Sequence, residues 1–334
     1  MSDTEKLPYL QEALAAFDFG GQVAGALRYG EGHINDTLAV YTQQPGGACK
    51  RFIMQRINTN VFKDPAGLME NVMGVTGYLR ARIVKKGGDP DRETLTVLPT
   101  KDGKLFFTSP DGGAWRVYPF IEDAVSYQAA ETPELFRASA LAFGNFASQL
   151  EGYPAATLNE TIPNFHNTPV RFQNFKKALE ADALGRAKDC GPEIEFVLAR
   201  QKDCGVLMEL LNAGELPLRV THNDTKLNNV MLDPTTLQGV CVIDLDTVMP
   251  GLSVNDYGDS IRFGATTAAE DEQDLSNVNF RLPLFGTYTG GYLEAAGAAM
   301  TPKEKEMLPW GAKLMTLECG MRFLTDHLEG DVYF

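Results

Sequence analysis

The chain has 334 residues, 44% hydrophobic and 22% charged, with 32 Gly and 18 Pro, a composition that excludes collagen-like and low-complexity chains and leaves room for one large or two ordinary domains. Its net charge of −14 is uneven: residues 1–122 carry 14 basic and 14 acidic side chains, residues 123–334 carry 16 and 30. That balance argues against nucleic acid and anionic membrane surfaces as partners, which are bound through basic patches, and allows a neutral or cationic small substrate, with plain solubility as the simpler meaning of the acidity.

Helical spacing over Leu7–Phe19 puts Leu10, Leu14 and Phe17 on one face. Three short β-rich runs follow, Val23–Tyr29, Ile34–Thr42 and Arg51–Ile57, punctuated by Gly30-Glu31-Gly32 and Pro45-Gly46-Gly47. Asp64-Pro65 opens a helix with the stripe Leu68, Val72, Val75 and Leu79, Asp64 as N-cap and Pro65 at the first helical position. Thr94–Leu98, Lys104–Thr108 and Ala114–Phe120 read as three more strands. From Thr132 the period is helical, over Pro133–Leu150, Val170–Leu184 and Ile194–Leu211. Short strands are expected at Leu218–Thr221, Val230–Leu232 and Val240–Ile243, then helices around Asp256, over Pro283–Ala296 and over Pro302–Leu328. The expected architecture is α+β: a lobe over residues 1–118 built on a mostly antiparallel sheet, a short connection at 119–123, and a larger, mainly helical lobe over 124–334.

Cys49, Cys190, Cys204, Cys241 and Cys319 form no C-x-x-C pair, so they read as free thiols of a reducing compartment. The polar, acidic start Met1-Ser2-Asp3-Thr4-Glu5 does not resemble a signal peptide, and no run nears the roughly 18 apolar residues of a membrane span. The expectation is a cytoplasmic protein; oligomeric state is not legible.

The chemistry concentrates in Thr221-His222-Asn223-Asp224-Thr225-Lys226-Leu227-Asn228-Asn229 and the later Val242-Ile243-Asp244. Phosphoryl transfer needs an Asp to take the proton of the attacking hydroxyl, a cation at the γ-phosphate, and an Asn and a second Asp to hold Mg²⁺. Asp224, Lys226, Asn229 and Asp244 supply those parts in that order. The simpler alternative is a polar turn whose Asp and Asn side chains cap backbone groups. Asp244 and Asp246 both lie near the metal-binding position; Asp244 is preferred because it directly follows the apolar strand, and Asp246 is assigned to orienting the next turn.

The spacing H-x-D-x-K-x-x-N resembles the protein-kinase catalytic loop, but Leu245 follows Asp244 where protein kinases have Phe-Gly, and no Ala-Pro-Glu segment comes later. The chain is similar to the aminoglycoside phosphotransferase and choline kinase family of small-molecule kinases, and within it to the N-acetylhexosamine 1-kinases. The resembling segments are Gly30–Thr37, Gln55–Asn58, Trp115–Asp123, His222–Asn229, Val242–Gly251, Asp256–Arg262 and Met321–Phe334, the run from Ile243 to Gly251 being especially like that subgroup. The resemblance implies a protein-kinase-like fold, ATP and Mg²⁺ as cofactors, His222 supporting the loop, Asp224 as base, and Asn229 and Asp244 as metal ligands. It also implies that 1–118 is the nucleotide-binding lobe, 119–123 a hinge and 124–334 the catalytic and acceptor-binding lobe, with adenine bonding to the backbone of Pro119, Phe120 and Ile121 and with Asp256–Arg262 as structural partners of the catalytic loop.

Gly30, Gly32 and Asn35 are expected around the phosphates, where a glycine turn lets backbone N–H groups approach, although G-x-G between strands is by itself an ordinary hairpin turn. No Walker A motif is present, which excludes a P-loop fold. The third strand departs from the kinase pattern: Gln55 stands at the position expected to hold Lys, with Arg56 on the opposite face and Glu70 as the helix carboxylate. Acceptor contacts are expected from His33, Asp224, Phe263, Arg322 and Tyr333, each with a structural alternative. The family usually continues beyond Asp331-Val332-Tyr333-Phe334, which leaves open a further segment of the acceptor pocket.

The expected reaction is phosphorylation of the anomeric hydroxyl of an N-acetylhexosamine to the 1-phosphate, with an amino sugar as the small-molecule partner. The alternatives are the same chemistry on an aminoglycoside, a choline-like amino alcohol or homoserine, or a nucleotide-binding regulatory protein without transfer activity, which the missing strand Lys motivates.

Overall fold

A computed structural model describes residues 7–30, 34–268 and 272–332. They form two compact units, Met1–Ala124 with Val240–Asp246, and Val125–Gly239 with Thr247–Phe334. The return of Val240–Asp246 to the first unit is a feature that local patterning does not signal.

In the first unit, helix α1 (Leu10–Ala16) precedes strands β1 (Gln22–Arg28), β2 (Asp36–Gln43) and β3 (Cys49–Ile57). Helix α2 (Pro65–Lys85) and a single helical turn, α3 (Pro90–Glu93), come before β4 (Phe107–Thr108) and β5 (Ala114–Pro119). The strands make one antiparallel sheet in the order β1-β2-β3-β5-β4. Period-2 alternation fixes its faces. Leu38, Met54 and Val117 are cross-strand partners and fully buried, and they pack with Val40, Phe52 and Trp115 against Leu10, Ala13 and Phe17. One residue along each strand, Thr37, Gln55 and Arg116 form a second row on the opposite face.

Asp64 caps α2 by accepting from the Gly67 N–H at 3.0 Å, and Leu68, Val72, Val75 and Leu79 are buried as their spacing requires. Three expectations in this region need correction. The first helix spans only Leu10–Ala16, and Phe17 bridges to Thr100 instead of extending it. Thr94–Leu98 forms no strand: the Arg80 guanidinium on α2 donates to the Pro90 carbonyl and to Thr96 Oγ1, which draws the segment onto the helix. Lys104–Thr108 contributes only Phe107–Thr108, because Thr100 accepts from the backbone N–H groups of Gly103 and Lys104 and closes a tight loop first.

The second unit holds α4 (Pro133–Gln149), α5 (Thr168–Ala181), α6 (Gly191–Leu198) and α7 (Val206–Asn212). The helix expected over Ile194–Leu211 is two helices, since i→i+3 bonds from Arg200, Gln201 and Asp203 tighten the chain between them. Strands β6 (Arg219–Thr221) and β7 (Val230–Leu232) flank the loop from His222 to Asn229; β8 (Gly239–Val242), which belongs to the first unit from Val240 on, and β9 (Met249–Gly251) follow. β9, unforeseen from the sequence, pairs antiparallel with β6. Helices α8 (Ser253–Gly264), α9 (Leu282–Ala296) and α10 (Pro302–Glu329) complete the unit, with a capping box between Thr301 and Glu304 at the start of α10. The core is rich in aromatic residues, including Tyr257, Tyr288 and Tyr292. α8 and α10 approach backbone to backbone at Gly258 and Gly311: a Cβ on Gly311 would lie 1.9 Å from the Val254 carbonyl oxygen.

No helix among the described residues is long and apolar enough to cross a membrane.

Candidate active site

In the second unit, the loop from His222 to Asn229 leaves β6 and is held by α8. Asp256 accepts the backbone N–H of His222 at one carboxylate oxygen and that of Asn223 at the other, both at 2.8 Å. Asp259 accepts the Thr225 N–H at 2.9 Å, Thr225 Oγ1 donates to the Asp256 carbonyl at 2.5 Å, and Ser260 Oγ donates to the Thr225 carbonyl at 2.8 Å. Asn223 takes a left-handed backbone (φ 64°), and its amide donates to the Thr247 carbonyl while Thr247 Oγ1 donates to the His222 carbonyl. His222 is fully buried with its ring edge against Phe143 and Phe146, and its Nδ1 accepts from the Asp224 N–H at 3.3 Å.

These bonds leave the Asp224 side chain 29% exposed, with its two oxygens in different company. Oδ2 accepts from Asn229 Nδ2 at 3.0 Å, and Oδ1 lies 3.3 Å from Lys226 Nζ. The Asn229 amide also donates to the Asp224 carbonyl at 2.8 Å. With its nitrogen directed at Asp224, Asn229 presents Oδ1 as its other polar atom. Such an oxygen, like the Asp244 carboxylate, is a hard donor of the kind Mg²⁺ takes in small number beside nucleotide phosphates. Among the described residues no group of three or more His, Cys, Asp or Glu is placed to hold a metal by itself. A single amide oxygen of this kind fits a Mg²⁺ that takes its other ligands from phosphate and water rather than from an all-protein cage.

A second support for the loop comes from residues that carry no sequence signal. His166 Nε2 lies 3.2 Å from the Asn223 carbonyl oxygen, and its Nδ1 lies 2.8 Å from Glu318 Oε1 on α10. Thr168 Oγ1 donates to the other Glu318 oxygen at 2.7 Å. Burial opposes protonation of His166, but the hydrogen bond and charge of Glu318 prevail and raise its pKa above the usual imidazole value. Beside this pair, Phe165 packs against the His166 ring at 4.5 Å between centroids, tilted by 47°, and lies under the guanidinium of Arg322, 5.6 Å away. The candidate acceptor residue Arg322 is thus linked through Phe165 and His166 to the catalytic loop. Phe263 is half-buried on α8.

Burial pushes the pKa of Asp256 up to about 6, against the pull of its two N–H donors and of His222. Burial acts the same way on Asp259, but the charge and hydrogen bond of Arg262, donating at 2.8 Å, together with the charges of His166 and Lys226, outweigh it and hold that carboxyl below its usual value.

In the first unit, the segment after β8 turns at Asp244, whose φ of 58° is left-handed, and enters a 3₁₀ turn over Leu245–Thr247. Asp246 is buried at 2% exposure, and its Oδ1 pairs with Arg116 Nη1 at 2.5 Å. Its Oδ2 accepts from Asn35 Nδ2 at 2.7 Å, and Asn35 Oδ1 accepts the Asn58 N–H at 2.9 Å. Gln55, at the position expected to hold the strand Lys, is bonded within the sheet: its Oε1 accepts from Arg116 Nε at 3.0 Å and Nη2 at 2.8 Å, and its Nε2 donates to Thr37 Oγ1. Arg116, opposite Gln55 on β5 and 1% exposed, places a buried cation in that row. Its place inside the apolar run Trp115-Arg116-Val117-Tyr118 was the available signal. Glu70, the expected helix carboxylate, is exposed; the α2 side chain that meets Arg116 is Met69, with Sδ 3.9 Å from Nη1.

Gly30 adopts φ +74°, which favours glycine, and a Cβ there would meet nothing within 4 Å. Gly32 and His33 lie outside the described residues, as does Tyr333. At the expected hinge, Pro119 ends β5 and the Phe120 N–H donates to the Arg51 carbonyl. Arg51 covers the Phe120 ring at 3.8 Å and pairs with Glu122, and Ile121 is half-buried.

A profile of the phosphotransferase enzyme family (APH) matches residues 26–292. Among solved structures, the amicoumacin kinase hAmiN, in complex with AMP-PNP, Ca²⁺ and Ami, aligns with TM-score 0.60 and 13% identity over 98% of this chain and 88% of its own. A microcompartment-associated aminopropanol kinase aligns with TM-score 0.57 and 17% identity, over 96% and 93%. The GDP complex of aminoglycoside 2′-phosphotransferase-IIIa aligns with TM-score 0.57 and 10% identity, over 93% and 88%. The fold is the kinase-like α+β fold that the resemblance implies.

Proposed function

The chain belongs to the phosphotransferase enzyme family, and from that premise we propose that it is an ATP- and Mg²⁺-dependent kinase of a small molecule bearing a hydroxyl group. The observation that carries this reading is the Asp224 carboxylate, half-exposed and flanked by Lys226 and Asn229 on a loop whose backbone is fixed by Asp256 and Asp259. Asp224 orients the acceptor hydroxyl and accepts its proton as the hydroxyl oxygen bonds to the γ-phosphorus. The bond from that phosphorus to the β,γ-bridging oxygen breaks, and ADP leaves with the bridging electron pair. Lys226 offsets the negative charge that spreads over the equatorial oxygens. Asn229 and Asp244 would hold Mg²⁺, which when bound neutralises charge on the β- and γ-phosphates. In this reading Gly30, Gly32 and Asn35 border the phosphates, and the backbone of Pro119, Phe120 and Ile121 meets the adenine.

For the acceptor we propose an N-acetylhexosamine, phosphorylated at its anomeric hydroxyl. The run Ile243–Gly251 supports it, as does the platform of Phe165 under Arg322, since a sugar is bound by an aromatic surface and hydrogen-bond donors. His33, Phe263 and Tyr333 are the other proposed acceptor residues. A second reading is an amino acceptor: the excess of 30 acidic over 16 basic side chains in residues 123–334 suits a cation, and the aligned structures include an aminopropanol kinase and an aminoglycoside phosphotransferase.

The test is ADP release with ATP and Mg²⁺ across N-acetylglucosamine, N-acetylgalactosamine, other hexoses, choline, homoserine and an aminoglycoside, with the product's phosphate position read by NMR. Turnover on an acetamido sugar to an anomeric phosphate is the expected result. Turnover on amines alone keeps the kinase and removes the sugar. Nucleotide binding without turnover on any acceptor overturns the transfer activity.

A further inference from the structure

The kinase pattern places a cation on the third strand, and here that strand carries Gln55. In the described structure the positive charge has moved one strand over, in register: Arg116 of β5 is the cross-strand partner of Gln55 and bonds it twice. Thr37, Gln55 and Arg116 form a polar row across three strands, on the face opposite the apolar row Leu38, Met54 and Val117. The row ends on Asp246, two residues after the proposed metal ligand Asp244 and bonded also to Asn35 beyond the glycine turn. One buried carboxylate therefore ties together the sheet, the phosphate loop and the metal-binding turn. A guanidinium at 1% exposure survives only because Gln55 and Asp246 satisfy it.

We propose that Arg116 is a positioning residue for the metal: through Asp246 it fixes the turn that presents the Asp244 carboxylate, in place of the strand Lys. Nε and Nη2 donate to Gln55, Nη1 pairs with Asp246, and the side chain is 1% exposed, so Arg116 acts through Asp246 and not by touching phosphate. The left-handed backbone of Asp244 explains why such an anchor is needed, since a residue without glycine's freedom holds that conformation only when its surroundings enforce it. Bidentate contact with Gln55 explains why the residue is Arg: Lys carries the charge without the planar fork. The inference rests on the nucleotide-dependent reading above.

The experiment measures ADP affinity by calorimetry, with and without Mg²⁺, for the wild-type protein, Arg116→Lys, Asp246→Asn and the double variant Arg116→Met/Asp246→Asn. Thermal unfolding of each is followed by circular dichroism. In the wild type Mg²⁺ tightens ADP binding. In the variants that enhancement is lost by about 10- to 100-fold, the range for partners that orient metal ligands, a larger loss than any that the loosened Asn35 contact causes in metal-free ADP affinity. Arg116→Lys keeps the charge, and the double variant leaves neither partner buried alone, so at least one folded variant is expected even where a single substitution unfolds the chain. Mg²⁺ enhancement surviving in every folded variant overturns the proposal, as does an equal loss of affinity with and without metal. A wild-type protein that binds no ADP overturns the nucleotide reading itself, a separate and recognisable result.

Discussion

Asp256 and His222 are joined through the main chain: the buried carboxylate accepts the His222 N–H at 2.8 Å and, with its second oxygen, the N–H of Asn223. An α-helix thereby sets the backbone of a loop that follows β6 by only one residue. The Asp224 carboxylate, two residues on, is 29% exposed, whereas this one is buried.

That arrangement gives a pH dependence with opposite signs for stability and activity. The fold raises the Asp256 pKa from 3.8 to about 6. Between those values the native state holds a proton that the unfolded chain lacks, so this group's contribution to stability is full below 3.8 and is lost as pH rises through about 6. Activity runs the other way, because protonation weakens the acceptor of two loop N–H groups. The kcat–pH profile should fall on the acid side near 6, and Asp256→Asn should be slower at all pH values and lack that limb. A wild-type profile flat between about pH 5 and 8 contradicts this account.

The crossing of α8 and α10 tolerates no side chain. A Cβ on Gly311 would lie 1.9 Å from the Val254 carbonyl oxygen, and one on Gly258 would lie 2.3 Å from Gly311. Gly311→Ala should destabilise by about 2–3 kcal/mol in denaturant titration, the range for overpacking. Because α8 carries Asp256 and Asp259, kcat should fall with it. An alanine variant as stable as the wild type would show that the helices separate freely.

Glu318 binds both His166 and Thr168, and His166 reaches the Asn223 carbonyl. The raised pKa of His166 makes the pair's contribution full below about 6.5 and lost as pH climbs past the raised value. Glu318→Ala leaves two buried partners behind and should cost roughly 3 kcal/mol, by analogy with broken buried pairs. Glu318→Gln should flatten the neutral-range stability profile. Unchanged midpoints in both variants would remove this pair from the loop's support.

If the acceptor rests on Phe165 and Arg322, Phe165→Ala should raise the acceptor KM about tenfold, with the ATP KM unmoved. Salt separates the two acceptor classes: a neutral sugar shows little screening, whereas a polycation drawn to the acidic half loses rate as ionic strength rises. An ATP KM that rises with the acceptor KM would place Phe165 elsewhere in the reaction.

Local chemistry was legible in the sequence where it is encoded locally. The Asp64 cap, the alternation in β2, β3 and β5, and the loop from His222 to Asn229 all follow from neighbours within a few positions. The strand expected at Thr94–Leu98 fails because Arg80, 16 positions before Thr96, captures it. The break after Leu198 is set by i→i+3 bonding that an apolar period does not report. At the site, Gln55 looked like a defect because its partner Arg116 lies 61 positions away, and His166 and Glu318 meet across 152 positions. Such pairings are made by tertiary packing, so one sequence gives each residue but not its partner.

The central claim, that Asp224 handles the acceptor proton, is tested most directly by Asp224→Asn. Single-turnover phosphate transfer from ATP to the preferred acceptor should fall by about 10²–10⁴-fold, while ADP affinity and the unfolding midpoint stay near wild type. Transfer at the wild-type rate by a folded, nucleotide-binding Asp224→Asn protein would contradict the account.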